Sequence, residues 1–274
     1  TRRRHQTVEK TEGQVIVVTG HKGGSGGTTV AVSLAVALAE LTTSNLGMVA
    51  LGRPFPDVGN FLDLEPNYTI LDLAQNLADL DNSFLQRIMQ PYGTNIFVLH
   101  GIQDFREQEI IELEAVSKIF KLLRSMYRYV IVDLSHWLDE FFLQVVMEAD
   151  LVLMLTGLTV PDLRNLKRMW PSLLEWYPER RKIKLVVNRF DRTNGLQLKD
   201  LEQLLQQNVF ATLPSDYFIM METLNRGTPL GITAPRCRLW KGIRSLAEQV
   251  KRELPGEPES LAVDANSKRR FWFF

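Results

Sequence analysis

The stretch VIVVTGHKGGSGGTTVAVSLAVAL, residues 15–38, decides the fold. Val15 to Val18 form a short apolar, mostly β-branched run that reads as a strand buried on both faces. Four glycines follow within five residues, Gly23, Gly24, Gly26 and Gly27, and a helical pattern is then entered through Thr28 and Thr29. Glycine lets main-chain N–H groups approach an anion, and a helix N-terminus offers unpaired donors with a favourable dipole. The loop is therefore a candidate phosphate cradle. Thr28 stands where a hydroxyl would meet Mg²⁺, and Thr29 could hydrogen-bond a phosphate. A ligand-free strand-to-helix turn would need the glycines but not the paired threonines, so their agreement favours the cradle.

Outward from this unit, apolar runs recur at 47–51, 95–99, 129–133, 151–155, 184–188 and 209–213, giving seven candidate strands with the first. Between them the apolar spacing is helical at 28–41, 107–124, 138–148, 162–176, 198–207 and 239–254. Continuous rather than alternating strands suit a sheet covered on both sides. The expected fold is α/β: a doubly wound, mainly parallel sheet of about seven strands with helices on both faces. One domain is expected over residues 14–254. Residues 1–13 read as a flexible linker and 255–274 as a flexible tail.

The 274 residues carry 45% hydrophobic and 23% charged side chains, an ordinary globular composition that excludes disorder, collagen and coiled coil. Thirty-two basic residues balance thirty-two acidic ones, so no whole-protein field gathers nucleic acid or anionic lipid, and no specific nucleic-acid partner is expected. The basic run Arg180-Arg181-Lys182 reads as a solvated surface. A single cysteine, Cys237, closes no intrachain disulfide, and His5, His21, His100 and His136 lack ligand spacing, which points to a cytoplasmic protein. Cys237, Met220 and Met221 read as core filler. No apolar run reaches the roughly 18 residues of a membrane span. The sequence opens at Thr1, which leaves room for a removed upstream segment. The tip KRRFWFF, 268–274, sets three cations before four aromatics, suited to peripheral membrane contact at an anionic interface or to docking in a protein groove.

Lys22 to Thr29, KGGSGGTT, resembles the deviant Walker A motif KGGxGK(T/S)T of the MinD/ParA group of P-loop ATPases. The resemblance implies a MinD/ParA-like P-loop NTPase fold, ATP and Mg²⁺ as cofactors, and nucleotide-binding roles for Lys22, Gly23, Gly24, Ser25, Gly26, Gly27, Thr28 and Thr29. It also implies a homodimer in which Lys22 reaches the partner's phosphates. The motif lysine before Thr28 is Gly27 here, and His21 replaces the leading glycine. Residues 133–168, then VVNRFDR (186–192), LPSDY (213–217), LNRGTPL (224–230) and APRCRL (234–239), look like the ordered blocks of the TadZ/CpaE branch. That branch is associated with positioning type IVc (Tad) pilus machinery. Its members often carry an upstream receiver-like domain, which these 274 residues do not include, and often lack the P-loop lysine.

By the same resemblance Asp133 is a Walker B carboxylate holding Mg²⁺ with Thr28, Asn188 meets the adenine edge, and Pro214 lines the base. Each has a plainer reading: Asp133 as a polar strand end, Asn188 as a loop cap. His136 follows Asp133 but reads as an ordinary loop residue. After the second strand, Arg53 and Phe55 occupy the place of the group's acidic residues, with Asp57 as the candidate substitute. A lysine at 27 would contribute about 1.5 to 3 kcal/mol against the phosphates, so its loss weakens binding roughly ten- to hundredfold. Little or no hydrolysis is expected. The expected function is an ATP-binding, weakly or non-hydrolysing protein that localises Tad pilus or related secretion machinery, in the cytoplasm or at the inner face of the membrane or cell pole. The rivals are an active dimeric MinD/ParA-type ATPase cycling on membrane or nucleoid, and a nucleotide-free scaffold.

Overall fold

A computed structural model describes residues 12–254 apart from 54, 105, 107–110, 178 and 194. The tail, its basic-aromatic tip and residues 1–11 of the expected linker lie outside the described residues. All seven expected strands are present: β1 (Gln14–Gly20), β2 (Leu46–Leu51), β4 (Ile96–Leu99), β5 (Tyr129–Leu134), β6 (Leu151–Thr156), β7 (Ile183–Phe190) and β8 (Val209–Pro214). An eighth, β3 (Gln90–Tyr92), pairs antiparallel with β4 through a turn at Gly93. The sequence QPY carries no apolar run, and its proline is tolerated because β3 ends the sheet. The order is β3-β4-β2-β5-β1-β6-β7-β8, and every pairing except β3 with β4 is parallel.

Side chains alternate across this sheet into two cores. Val15, Val17, Val130 and Val132 enter one, with α3 (Ile70–Gln75), α4 (Asn82–Ile88), α5 (Leu113–Met126), α6 (Glu140–Met147), α7 (Val160–Trp176) and α8 (Leu198–Leu205) over them. Ile16, Val18 and Ile131 enter the other, under α1 (Gly27–Leu41), α2 (Val58–Leu62), α10 (Leu230–Thr233) and α11 (Arg238–Glu253), with part of α9 (Tyr217–Arg226). Both faces of the central strands are dry, which is why their sequences are uniformly apolar. The helix expected from residue 107 begins at Leu113.

Helix α1 is buried continuously from Val30 to Ala39, because the sheet lies on one side and α11 against the other. Helix α11 answers with Leu239, Ile243, Leu246 and Val250, spaced three or four apart as a single buried stripe. Cys237 packs half-buried against the core and also caps α11, its Sγ accepting the Trp240 N–H at 3.2 Å. Parallel pairing sets Val18 opposite Asp133, so the loop after β1 and the carboxylate ending β5 meet at the same edge of the sheet. Open parallel sheets bind ligands beyond the carboxyl ends of their strands.

Candidate functional site

The loop after β1 turns through two left-handed glycines, Gly24 at φ 76° and Gly26 at φ 92°. A side chain at Gly26 would also collide with Asn188, whose Nδ2 lies 2.3 Å from the position of a Cβ. Ser25 is buried and its hydroxyl donates to the Lys22 carbonyl at 2.8 Å, so this side chain braces the loop. Helix α1 starts without a side-chain cap and without an acidic residue in its first turn, which leaves its first N–H groups for a ligand. Gly23, Gly24, Gly27, Thr28, Arg53, Asp57, Asp133 and His136 line a cleft of ≈ 230 Å³ in front of them.

Thr28 donates to Asp133 Oδ2 at 2.8 Å. Burial pushes the Asp133 carboxyl up to about 7, opposed by the Thr28 hydrogen bond and assisted by the charge of Asp57. Asp57 immediately precedes α2 without a side-chain bond to its backbone and accepts from Asn60 Nδ2 at 3.0 Å. The structure thus assembles Thr28 from the first turn of α1, Asp133 from the end of β5 and Asp57 from the residue before α2. Among the described residues no three His, Cys, Asp or Glu cluster as a metal cage. One hydroxyl and one or two carboxylates beside a phosphate cradle nevertheless suit Mg²⁺, which keeps waters and takes substrate phosphates as ligands. The donor set fits a magnesium nucleotide.

Lys22 does not point away from its own chain. Its Nζ lies 2.6 Å from Asp162 Oδ1, and His21 Nε2 lies 3.2 Å from the same oxygen. Asp162 is buried, with its other oxygen accepting from the Thr159 hydroxyl at 2.6 Å in the capping box of α7. Burial raises the Asp162 carboxyl, but the Lys22 and Thr159 hydrogen bonds outweigh it and hold the group below the usual carboxylate range. Burial also lowers His21, against the Leu155 carbonyl and the Asp162 charge, so the ring is neutral near pH 7. Sequence reasoning gave Asp162 no role, although Thr159-x-x-Asp162 is a legible helix-start signal.

At the end of β2, Arg53 forks onto Asp139 with contacts of 2.9 and 3.4 Å and lies 4.5 Å above the Phe141 ring. Asp139 caps α6, its Oδ1 accepting the Phe142 N–H at 2.8 Å. His136 also borders the loop: a Cβ at Gly23 would lie 3.5 Å from its Cε1, so it belongs to the cleft wall.

A second cavity of ≈ 220 Å³ adjoins the loop on its other side, lined by Gly26, Thr29, Asn188, Pro214, Met220 and Met221 among others. It joins the two residues expected around a base. Asn188 is already committed, donating to the Ser25 carbonyl at 2.9 Å and accepting from the Arg189 N–H at 2.9 Å. Met221 is 37% exposed on this cavity, not core filler. Lys182 of the basic run pairs with Glu179 at 2.8 Å, and Arg181 is exposed.

No family model matches the chain. It is 26% identical over 258 residues to the septum site-determining protein MinD of Thermotoga maritima, covering 92% of this chain and 93% of that protein. It is 28% identical over 225 residues to MinD of Synechocystis, with 79% and 81% covered. Among solved structures, a ParA family ATPase from Chlorobium tepidum superposes with a TM-score of 0.82 at 24% identity, covering 87% of this chain and 98% of that one. MinD of Pyrococcus horikoshii, solved with Mg-ADP, gives 0.73 at 19% identity over 87% and 96%. The fold is that of MinD/ParA P-loop NTPase structures, and the Thermotoga and Synechocystis relatives are both MinD proteins. The names of these four proteins say nothing of the TadZ/CpaE branch or of pilus assembly.

Proposed function

We propose that this chain binds ATP with Mg²⁺ in the cleft at the mouth of α1, hydrolyses it slowly or not at all, and uses it to hold a homodimer. That dimer would position type IVc (Tad) pilus or related secretion machinery at the cytoplasmic face of the membrane. The observation that carries the nucleotide reading is the Thr28–Asp133 pair, 2.8 Å apart beside the uncapped start of α1, with glycine at 27. Thr28 and Asp133 would hold the cation, which supplies charge neutralisation between the terminal phosphates. The N–H groups from Gly24 to Thr29 would receive phosphate oxygens, and the cavity at Asn188 and Pro214 would take the base. Gly27 offers the terminal phosphate no ammonium, which removes charge stabilisation from the transfer step. Phe55 and Trp137 in loops and Val160 at the start of α7 expose apolar side chains at this edge of the sheet, a surface suited to cover by a second copy.

Titration calorimetry with ATP and Mg²⁺ tests this reading; no binding at millimolar nucleotide removes it. The alternative, an active dimeric ATPase of the MinD/ParA type, is favoured by the MinD relatives and by the 45% exposure of the Lys22 side chain, although it is paired with Asp162. Turnover that rises with protein concentration and vanishes in Lys22→Ala would select it.

A further inference from the structure

We propose that Arg53 takes over the work of the missing P-loop lysine, leaving Asp139 to bind the terminal phosphate of a nucleoside triphosphate. The inference rests on the nucleotide reading above and concerns the same cleft. Two cations line that cleft among the described residues, Lys22 and Arg53. Lys22 is held by Asp162, which is buried and also fixed to Thr159. Arg53 is held by Asp139, which is 39% exposed, so its pair is weakened by water and salt.

Position along the cleft assigns the phosphate. The base cavity meets the loop at Gly26 and Thr29, whereas Gly27, Thr28 and Asp133 face the other cavity. Gly52 borders Asp133 there, with a Cβ position 3.7 Å from Asp133 Oδ2, and Arg53 is the next residue. Arg53 therefore stands at the Asp133 end of the cleft and takes no part in the lining of the base cavity, which places it where the third phosphate of a triphosphate would lie and a diphosphate has none. A guanidinium suits this task because its fork matches two phosphate oxygens at once, as it now matches the two oxygens of Asp139. The Phe141 ring beneath it supports the planar group.

Calorimetry of the full chain with Mg-ATP and with Mg-ADP tests the assignment. Arg53→Gln should weaken ATP about ten- to hundredfold and leave ADP nearly unchanged. Retained ADP binding shows that the variant is folded. Asp139→Ser, which keeps a capping oxygen for α6 but frees the guanidinium, should tighten ATP severalfold and leave ADP unaffected. An ATP-to-ADP affinity ratio unchanged in Arg53→Gln overturns the proposal, as does an equal loss of both nucleotides. Absence of binding by the unaltered chain overturns the nucleotide reading itself, and the assignment with it.

Discussion

Lys22 Nζ lies 2.6 Å from Asp162 Oδ1, so the lysine that the MinD/ParA resemblance sends across a dimer is tethered to its own chain. The tether is a buried carboxylate that also starts α7. Asp162→Asn removes the charge but keeps one capping oxygen for Thr159. With ATP and Mg²⁺, it should raise the dimer fraction seen by light scattering, because Lys22 no longer leaves an ionic partner to reach another. Asp162→Ala loses the cap as well and should lower stability by about 0.5 to 2 kcal/mol.

Restoring the lysine is sterically admissible. A Cβ at Gly27 would meet Asp133 Oδ1 at 3.6 Å, an ordinary contact, and Gly27 is not among the left-handed glycines. Gly27→Lys should bind ATP roughly ten- to hundredfold more tightly. Its steady-state phosphate release should also exceed that of the unaltered chain.

Asp133 makes stability depend on pH in an unusual direction. Its folded value of about 7 lies above the ordinary 3.8, so the folded chain holds this proton more tightly than the unfolded one. The group's contribution is complete at acid pH and is lost as pH rises from about 4 to about 7, an effect on the order of a few kcal/mol. Asp133→Asn should flatten that part of the melting-temperature profile. Because Mg²⁺ needs the ionised carboxylate, its affinity should fall below pH 7, with proton release on binding.

Asn188→Ala removes the amide that donates to the Ser25 carbonyl at 2.9 Å, leaving a buried acceptor unpaired. A loss of about 1 to 3 kcal/mol follows, read by chemical denaturation. Hydrogen exchange should quicken at the amides of Ser25 and Gly26. Gly26→Ala should be worse than its size suggests, since it forces a Cβ against Asn188 at φ 92°.

Much of this architecture was legible because burial on both faces writes itself into local sequence. Val15–Val18, Tyr129–Asp133 and Leu151–Leu155 are apolar without alternation, and all lie in central strands. The glycines and paired threonines marked the loop for the same local reason. The three-residue β3 was hidden, since a short edge strand buries little and QPY has no period to read. Helices α2, α3, α4 and α10 were also missed; at four to seven residues they show too few turns for a periodic pattern, while the ten-residue α9 fully buries only Thr223 and so carries no apolar stripe.

The sequence alone determined that a glycine-rich turn joins a dry strand to a helix, and hence that an anion-ready helix start lies at the edge of a parallel sheet. Which side chains face that start was settled only in three dimensions. Thr28 meets Asp133 across 105 positions, Asn188 meets Ser25 across 163, and Arg53 meets Asp139 across 86. Local pattern reports burial and backbone preference, whereas charge pairing depends on strand order, and the sheet inserts β5 between β1 and β2. That insertion brings the Asp133 carboxylate, the Arg53 guanidinium and the glycine loop to one cleft, because parallel strands all end on the same edge.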